Sequence, residues 1–270
     1  MTYEDVACSR VKVYEGGQTA TVARTLHYVA PSEMLTIFDR LVAAVQSSDC
    51  APASKELCIG DRAIREKFYT KIAQPSDISE HLDSIRKYAS GYSHVTEFGV
   101  RHVVSSWALA MAGLESKRGI TYIGVDITKR PEVIEFEAIV HSDCIREHIN
   151  FTFIEADDLT IKPWDTDVLF IDTWHAYRQL SAELQLWAPH VRHIMMFHDT
   201  QLFGYKDEDV NGHGGKPVEE SLFGGSNATQ GLRPALDEFL QNYPTWFIAE
   251  DRQNNNGLLV LQQKGDGGTQ

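Results

Sequence analysis

The stretch HVTEFGVRHVVSSWALAMAGL, residues 94–114, contains the pattern that decides the fold of this chain. It begins with a short run of β-favouring residues that ends at Gly99. Within a few residues, apolar side chains recur at a spacing of three and four, which is the period of a helix packed by one face. A strand that turns directly into a helix is the first half of a βαβ unit, so the stretch predicts a parallel sheet.

The alternation of strand and helix patterns continues towards the C-terminus. Two of the apolar runs, VLFI (168–171) and IMMF (194–197), are continuous, which is typical of strands covered on both faces. The predicted parallel strands are 94–99, 120–126, 149–155, 166–172 and 193–198, and the predicted helices between them are 103–114, 131–143 and 177–188. A helix that opens at Pro234 then precedes two strands, 246–251 and 258–261, joined across an Asn-Asn-Asn-Gly turn signal. We therefore expect an α/β fold, namely a Rossmann-like, doubly wound, mostly parallel seven-stranded sheet with a C-terminal antiparallel hairpin and an N-terminal helical extension.

The pattern divides the chain of 270 residues into regions. Residues 76–264 form the predicted sheet domain. Residues 1–75, with helical patterns at 31–45 and 61–73, are expected to form a helical cap or an arm for homo-oligomerisation. Residues 201–233 are too polar, too rich in glycine and too long for an ordinary connection, which predicts a lid over a catalytic site. The Gly-rich tail, 265–270, is expected to be disordered.

The composition argues against several classes of partner. The formal net charge is −13 and no stretch gathers lysine and arginine, so a nucleic-acid partner is not expected. No uninterrupted apolar run reaches about 18 residues, so no membrane partner is expected either. The four cysteines are scattered without a C-x-x-C pair and are expected to be reduced thiols. Together with the absence of a leader pattern at Met1, this predicts a cytoplasmic protein.

Acidic residues stand at the ends of three successive predicted strands. Glu97 and Gly99 end the first strand, Asp126 ends the second, and Asp157 follows the third. Ligands of open α/β sheets bind outside the carboxyl ends of the strands, where a carboxylate can accept hydrogen bonds from ribose hydroxyls or an adenine amine. Each acid alone could equally cap a helix, but three in succession indicate an adenosine-bearing cofactor. The phosphate-binding pattern G-x-G-x-x-G is absent, which makes a nicotinamide dehydrogenase the least favoured alternative.

These motifs, with the D-x-x-H sequence after the fourth strand and the terminal hairpin, resemble class I S-adenosylmethionine-dependent methyltransferases over about residues 76–263. The resemblance implies S-adenosyl-L-methionine as the cofactor. Glu97 and Gly99 would lie near its methionine part, Asp126 on the ribose and Asp157 on the adenine. The full set of cofactor contacts that the resemblance implies is Glu97, Gly99, Arg101, Asp126, Asp157 and Asp172.

The ends of the fourth and fifth predicted strands carry a second group of polar residues. Asp172, His198 and Asp199 combine two carboxylates with an imidazole, which suits a divalent ion such as Mg²⁺ or Mn²⁺. The arrangement is similar to metal-dependent sugar O-methyltransferases, and that resemblance implies catalytic roles for Asp172 and His175, with His175 as the general base. A neutral imidazole near pH 7 would suit that task.

We therefore expect an O-methyltransferase that acts on a hydroxyl of a small-molecule or glycan acceptor. A phenol or catechol O-methyltransferase would use the same carboxylates and stays an alternative, as does a catalytically silent partner subunit with the cofactor fold. Structural roles also stay open for His175, as a helix cap, and for His198, as a buried histidine. Trp174 and Tyr177 fit either an acceptor-stacking wall or the core. His213, inside the predicted lid, is a further candidate to reach the substrate.

Overall fold

The computed structural model describes residues 13–15, 18–20, 59–116, 118–209 and 230–265. The chain divides into two compact units, Met1–Pro52 and Ala53–Gln270. In the first unit, β1 (Val13–Glu15) and β2 (Gln18–Ala20) form an antiparallel pair. The helix predicted over 31–45, most of the predicted lid and the tail at 266–270 lie outside the described residues.

The second unit is built on a seven-stranded mixed sheet. Its strands are β3 (His94–Phe98), β4 (Ile120–Asp126), β5 (Ile149–Glu155), β6 (Thr166–Ile171), β7 (Val191–His198), β8 (Trp246–Arg252) and β9 (Leu258–Gln263). They follow the order β5-β4-β3-β6-β7-β9-β8. Strands β3 to β7 pair in parallel, whereas β9 is antiparallel to both of its neighbours. The predicted fold class is confirmed, including the C-terminal antiparallel hairpin.

Helices cover both faces of this sheet, which explains the continuously apolar strands. They are α1 (Ile59–Ala73), α2 (Leu82–Ala89), α3 (Val104–Glu115), α4 (Pro131–Val140), α5 (Tyr177–Trp187) and α6 (Leu232–Asn242). One apolar core lies between the sheet and α1 to α4, and a second lies between the sheet and α5 and α6. Strand β6 contributes Val168 and Phe170 to the first core and Leu169 and Ile171 to the second. Alternate side chains along this strand therefore belong to opposite cores.

The strand order places a crevice beside the centre of the sheet. From β3 the order proceeds to β4 and β5 on one side and to β6 and β7 on the other. In doubly wound sheets, the connections diverge at such a point and leave an opening at the carboxyl ends of the strands.

Three further findings bear on the expectations from the sequence. The helix predicted over 61–73 is α1, and it belongs to the unit that begins at Ala53, together with the sheet. Cys144 is disulfide-bonded, so the expectation of four reduced thiols is wrong for this residue. Among the described helices, none is long and apolar enough to cross a membrane.

Candidate functional site

A cavity of about 400 Å³ opens at the carboxyl ends of β3, β4, β5 and β6. This volume lies within the range of small-molecule sites, about 300–1,000 Å³. Its wall brings together most of the residues that the sequence selected, namely Gly99, Arg101, Asp126, Asp157, Asp172 and His175. The sheet thus gathers one or two predicted residues from the end of each of four neighbouring strands.

Gly99 sits where the end of β3 meets the end of β6. Its backbone has a φ of +83°, which side chains rarely adopt, and a Cβ atom there would collide with the backbone carbonyl of Asp172. Its N–H donates to the carbonyl of Val125 at 3.0 Å. Glycine is therefore required here by the close approach of two strand ends, and it also leaves the cavity wall open.

Asp126 ends β4 and fixes the shape of the loop after β3. One carboxylate oxygen accepts the backbone N–H of Arg101 at 2.8 Å, and the other accepts that of Thr128 at 3.0 Å. Each carboxylate oxygen has a second lone pair, so Asp126 can still accept hydrogen bonds from a ligand in the cavity. Arg101 itself has a left-handed backbone, with a φ of 44°.

The segment after β5 contributes two aspartates with different environments. Asp157 is exposed and accepts the N–H of Leu159 at 2.9 Å, as in an Asx turn. Asp158 is buried and faces Glu183 of α5, whose carboxylate accepts from Thr173 at 2.5 Å and from Gln179 at 2.8 Å. Burial, followed by the neighbouring carboxylate, raises the pKa of Glu183 well above its ordinary value. Asp158 also lines the cavity, whereas Glu183 does not, and sequence reasoning did not predict this buried pair.

Glu97 lies away from the other predicted cofactor residues. It is fully buried and is absent from the cavity wall, and its carboxylate accepts hydrogen bonds from three hydroxyl groups, those of Ser105, Ser106 and Tyr122. Burial outweighs these bonds and raises its pKa to about 7. The side chain points from β3 into the core under α3, because alternate residues of a strand face opposite sides of the sheet. The expectation of a direct contact near the methionine part of a cofactor is not supported by this placement.

The polar residues after β6 and β7 form one cluster. Nε2 of His175 lies 3.1 Å from a carboxylate oxygen of Asp172 and 3.1 Å from one of Asp199. Nδ1 of His198 lies 3.2 Å from Asp172 and 3.5 Å from Asp199. Both histidines are buried, so the four side chains predicted from the two strand ends converge as expected.

The cluster is held together by opposite charges. Burial disfavours the imidazolium of His198, but the carboxylates of Asp172 and Asp199 outweigh it and raise its pKa to about 11. For His175, burial is likewise outweighed by hydrogen bonds to Asp172 and Glu208, and the pKa rises to about 9. Burial would raise the pKa of Asp172, yet the two histidines hold it well below its usual range. Without a bound cation, His175 therefore carries a proton at pH 7, which differs from the neutral imidazole expected from the sequence.

The donor set also fits a divalent cation. One ligand atom from each of Asp172, His198 and Asp199 can be chosen so that all lie within 4.8 Å of one another. Oδ1 of Asp199 is buried and has no hydrogen-bond partner among the described residues. A buried carboxylate oxygen without a donor is costly, and coordination of a cation would satisfy it. These three are the ligands that the sequence predicted.

The surroundings of His175 include two residues that sequence reasoning missed. Nδ1 of His175 lies 2.9 Å from a carboxylate oxygen of Glu208, and the ring stacks on Phe203 with centroids 5.1 Å apart and planes at 6°. Both residues come from the first part of the region predicted as a lid. Their approach depends on a tertiary fold-back of that region, for which the local sequence carries no signal.

Trp174 lines the cavity, and its indole nitrogen donates to the carbonyl of Glu208 at 3.2 Å. The hydroxyl of Tyr177 instead donates to Glu238 at 2.7 Å, and Tyr177 is absent from the cavity wall. Of the two aromatic candidates for a stacking wall, only Trp174 is thus in place. His213 lies outside the described residues.

Comparison with solved structures identifies chains of similar architecture at low sequence identity. A protein of Corynebacterium glutamicum matches with a TM-score of 0.52 and 14% identity, covering 86% of this chain and 100% of that one. An O-methyltransferase from Bacillus cereus, solved in complex with SAH, matches with a TM-score of 0.46 and 12% identity over 86% of this chain and 99% of its own. Magnesium protoporphyrin IX methyltransferase from Synechocystis PCC 6803, with bound SAH, gives a TM-score of 0.46 and 14% identity over 84% and 94%.

No protein-family model and no curated protein sequence matches this chain. At these identities, the structural likeness concerns the fold alone. That fold is the one expected from the resemblance to class I S-adenosylmethionine-dependent methyltransferases.

Proposed function

We propose that this chain is an S-adenosylmethionine-dependent O-methyltransferase that transfers a methyl group to a hydroxyl of a sugar or glycan, with a divalent cation and a histidine base assisting. The observation that carries the proposal is the single cavity wall shared by Gly99, Asp126, Asp157, Asp172 and His175. Residues suited to an adenosine and residues suited to proton transfer thereby face the same space, as a transfer between two bound molecules requires.

The cofactor half of the proposal rests on the ends of β3, β4 and β5. Asp126 keeps free lone pairs for the two ribose hydroxyls, and the exposed Asp157 is available to an adenine amine. Gly99 leaves room for the methionine part, and Arg101 stands at the same edge. When bound, the cofactor supplies the methyl group on a sulfonium. In this proposal Glu97 does not contact the cofactor, and instead supports the loop after β3 from within the core.

The reaction half rests on the cluster after β6 and β7. A divalent ion held by Asp172, His198 and Asp199 would polarise the acceptor oxygen and neutralise the carboxylates that keep a proton on His175. His175 is oriented by Glu208 on one nitrogen and directs the other towards Asp172 and Asp199. In this position it can accept the acceptor's proton as general base, and burial keeps water away from it.

The sugar acceptor rests on the resemblance to metal-dependent sugar O-methyltransferases. Trp174 at the cavity wall offers an apolar ring face for a sugar, and the carboxylates nearby offer acceptors for its hydroxyls.

The proposal keeps the further expectations from the sequence, namely a lid over 201–233 and an N-terminal cap or oligomerisation arm. It also keeps a cytoplasmic location, although the disulfide at Cys144 counts against that location, because disulfides are rare in cytosolic proteins.

The test is mass spectrometry of reactions that contain the full chain, S-adenosylmethionine and a panel of methyl-free saccharides, with a parallel panel of phenols and catechols. We expect a gain of one methyl group on a saccharide, abolished by chelator and restored by Mg²⁺ or Mn²⁺. Methylation of the phenolic panel alone would show that the acceptor is a phenol or catechol and not a sugar. Tight cofactor binding without turnover on either panel would favour a silent subunit, and full turnover after chelation would remove the cation from the proposal.

A further inference from the structure

His198 is contacted on its outer nitrogen by a backbone carbonyl. Nε2 lies 3.0 Å from the carbonyl oxygen of Asp77, while Nδ1 faces Asp172 at 3.2 Å and Asp199 at 3.5 Å. A carbonyl oxygen only accepts hydrogen bonds, so Nε2 must carry a hydrogen. In the neutral ring, the nitrogen left to hold a cation is therefore Nδ1, which is the one directed at the two carboxylates.

The carbonyl of Asp77 belongs to a turn, residues 76–80, that is held from within by the side chains of Ser76 and Ser79 and from outside by the side chain of Asn255. The amide oxygen of Asn255 accepts the N–H of Glu80 at 2.9 Å, and its amide nitrogen donates to the carbonyl of Ser76 at 2.6 Å. Asp77 lies between these two anchor points. Asn255 thus fixes a carbonyl that in turn fixes the ring of His198.

The β8–β9 turn that contains Asn255 also supports the segment after Asp199. The carbonyl of Asn256 accepts the N–H of Gln201 at 2.8 Å. A Cβ atom on Gly257 would collide with the backbone nitrogen of Gln201 and approach Oγ1 of Thr200, so the turn packs against this segment as closely as glycine permits. The β8–β9 turn therefore packs against Thr200 and Gln201, which directly follow His198 and Asp199 and do not line the cavity.

We propose that Asn255 is a positioning residue for His198. It is not one of the residues that line the cavity, its side chain bonds to Ser76 and Glu80, and it acts through the 76–80 turn by keeping the Asp77 carbonyl on Nε2. This directs Nδ1 towards the space between Asp172 and Asp199. The inference deepens the proposed function and rests on its divalent cation.

The informative change is Asn255→Gly. Asn255 has a φ of 47°, so glycine removes both side-chain bonds without the backbone strain that alanine would add. Loss of the direct partner of a metal ligand typically weakens metal affinity about 10–100-fold; Asn255 acts one step further out, through the Asp77 carbonyl, so we expect the lower end of that range, about 10-fold, for Mn²⁺. The matched control is Asn256→Gly, because Asn256 has a φ of 68° and its side chain makes no hydrogen bond within the described part of the chain. The control should keep wild-type affinity.

The measurement is calorimetric titration of the full chain with Mn²⁺ alone, followed by pulsed electron paramagnetic resonance of the bound ion. Wild type and Asn256→Gly should show coupling of the ion to a ¹⁴N nucleus, and Asn255→Gly should lose or weaken it. If Asn255→Gly fails to fold, Asn255→Asp takes its place with the same expected direction, because it keeps the bond from Glu80 and loses the one to Ser76.

Wild-type affinity and wild-type nitrogen coupling in Asn255→Gly would overturn the inference. So would a wild-type protein that binds Mn²⁺ without nitrogen coupling, or not at all. Titration with S-adenosylmethionine tests the proposed function separately from the role of Asn255. Asn255→Gly should bind the cofactor as wild type does, whereas a wild-type protein without cofactor affinity would refute the methyltransferase and not the role of Asn255.

Discussion

Replacing Glu97 by glutamine should change the way in which stability depends on pH. The carboxyl group is fully buried, and burial raises its pKa from the ordinary 4.5 to about 7 despite three hydroxyl donors. One pH unit corresponds to about 1.4 kcal/mol, so ionising Glu97 costs the folded chain about 3 kcal/mol. Glutamine removes the ionisation while keeping the size of the side chain and an oxygen acceptor.

The direction of this pH dependence follows from comparing the protonation of Glu97 in the folded and the unfolded chain. Below pH 4.5 the acid is protonated in both the folded and the unfolded chain, and its contribution to stability is fully present. Between pH 4.5 and about 7 the unfolded chain releases the proton first, so stability falls as pH rises. Above about pH 7 the acid is ionised in both states, and the full cost of about 3 kcal/mol falls on the folded one.

The assay is urea unfolding at constant ionic strength between pH 5 and pH 8. The free energy of unfolding of wild type, minus that of Glu97→Gln, should fall by about 2–3 kcal/mol across this range. Glu147→Gln, at an exposed position, serves as the control and should show no such trend. Parallel pH curves for wild type and Glu97→Gln would refute the argument that burial dominates the ionisation of Glu97.

Three further predictions concern the cavity. Asp126→Ala should weaken S-adenosylmethionine binding about 10–100-fold in calorimetry, because a hydrogen bond to a charged group contributes about 1.5–3 kcal/mol; unchanged affinity would remove Asp126 from the site. His175→Ala should lower kcat about 10²–10⁴-fold with little change in cofactor affinity, as general bases typically do, and a variant that keeps most of its rate would pass the role to another group. Gly99→Ala should lower the unfolding free energy by at least about 1–2 kcal/mol in urea titrations, since a left-handed backbone disfavours a Cβ and that Cβ would collide with Asp172; wild-type stability would contradict the close approach of β3 and β6.

The sheet and the wall of the cavity could be predicted because both follow from strand ends. Parallel strands leave their carboxyl ends on one edge, so Asp126, Asp157 and Asp172 meet whatever the details of packing. The convergence of His175 and Asp199 follows in the same way from the pairing of β6 with β7. Residues that directly follow adjacent parallel strands are the easiest site residues to find in a sequence.

Glu97 shows where that reasoning fails. It is the penultimate residue of β3, but strand alternation directs its side chain to the face covered by α3. A signal for this was present, since Ser105 and Ser106 follow at the start of the next helix and Tyr122 is on the neighbouring strand. Three hydroxyl donors near one acid favour a buried hydrogen-bonded group over a ligand contact.

The contacts of Glu208 and Asn255 could not be read from local sequence at all. Glu208 reaches His175 because the chain after β7 folds back over the cluster, and Asn255 reaches Ser76 and Glu80 because the β8–β9 turn packs on a distant turn. The Asn-Gly signal predicted the turn itself, since its left-handed residues are what such turns need. What the turn contacts depends on how the hairpin packs, so a residue can be predictable in conformation and unpredictable in role. A variant that removes the Asn255 side chain but keeps the backbone conformation separates the role of the residue from its conformation. Glycine is therefore the informative replacement at this position.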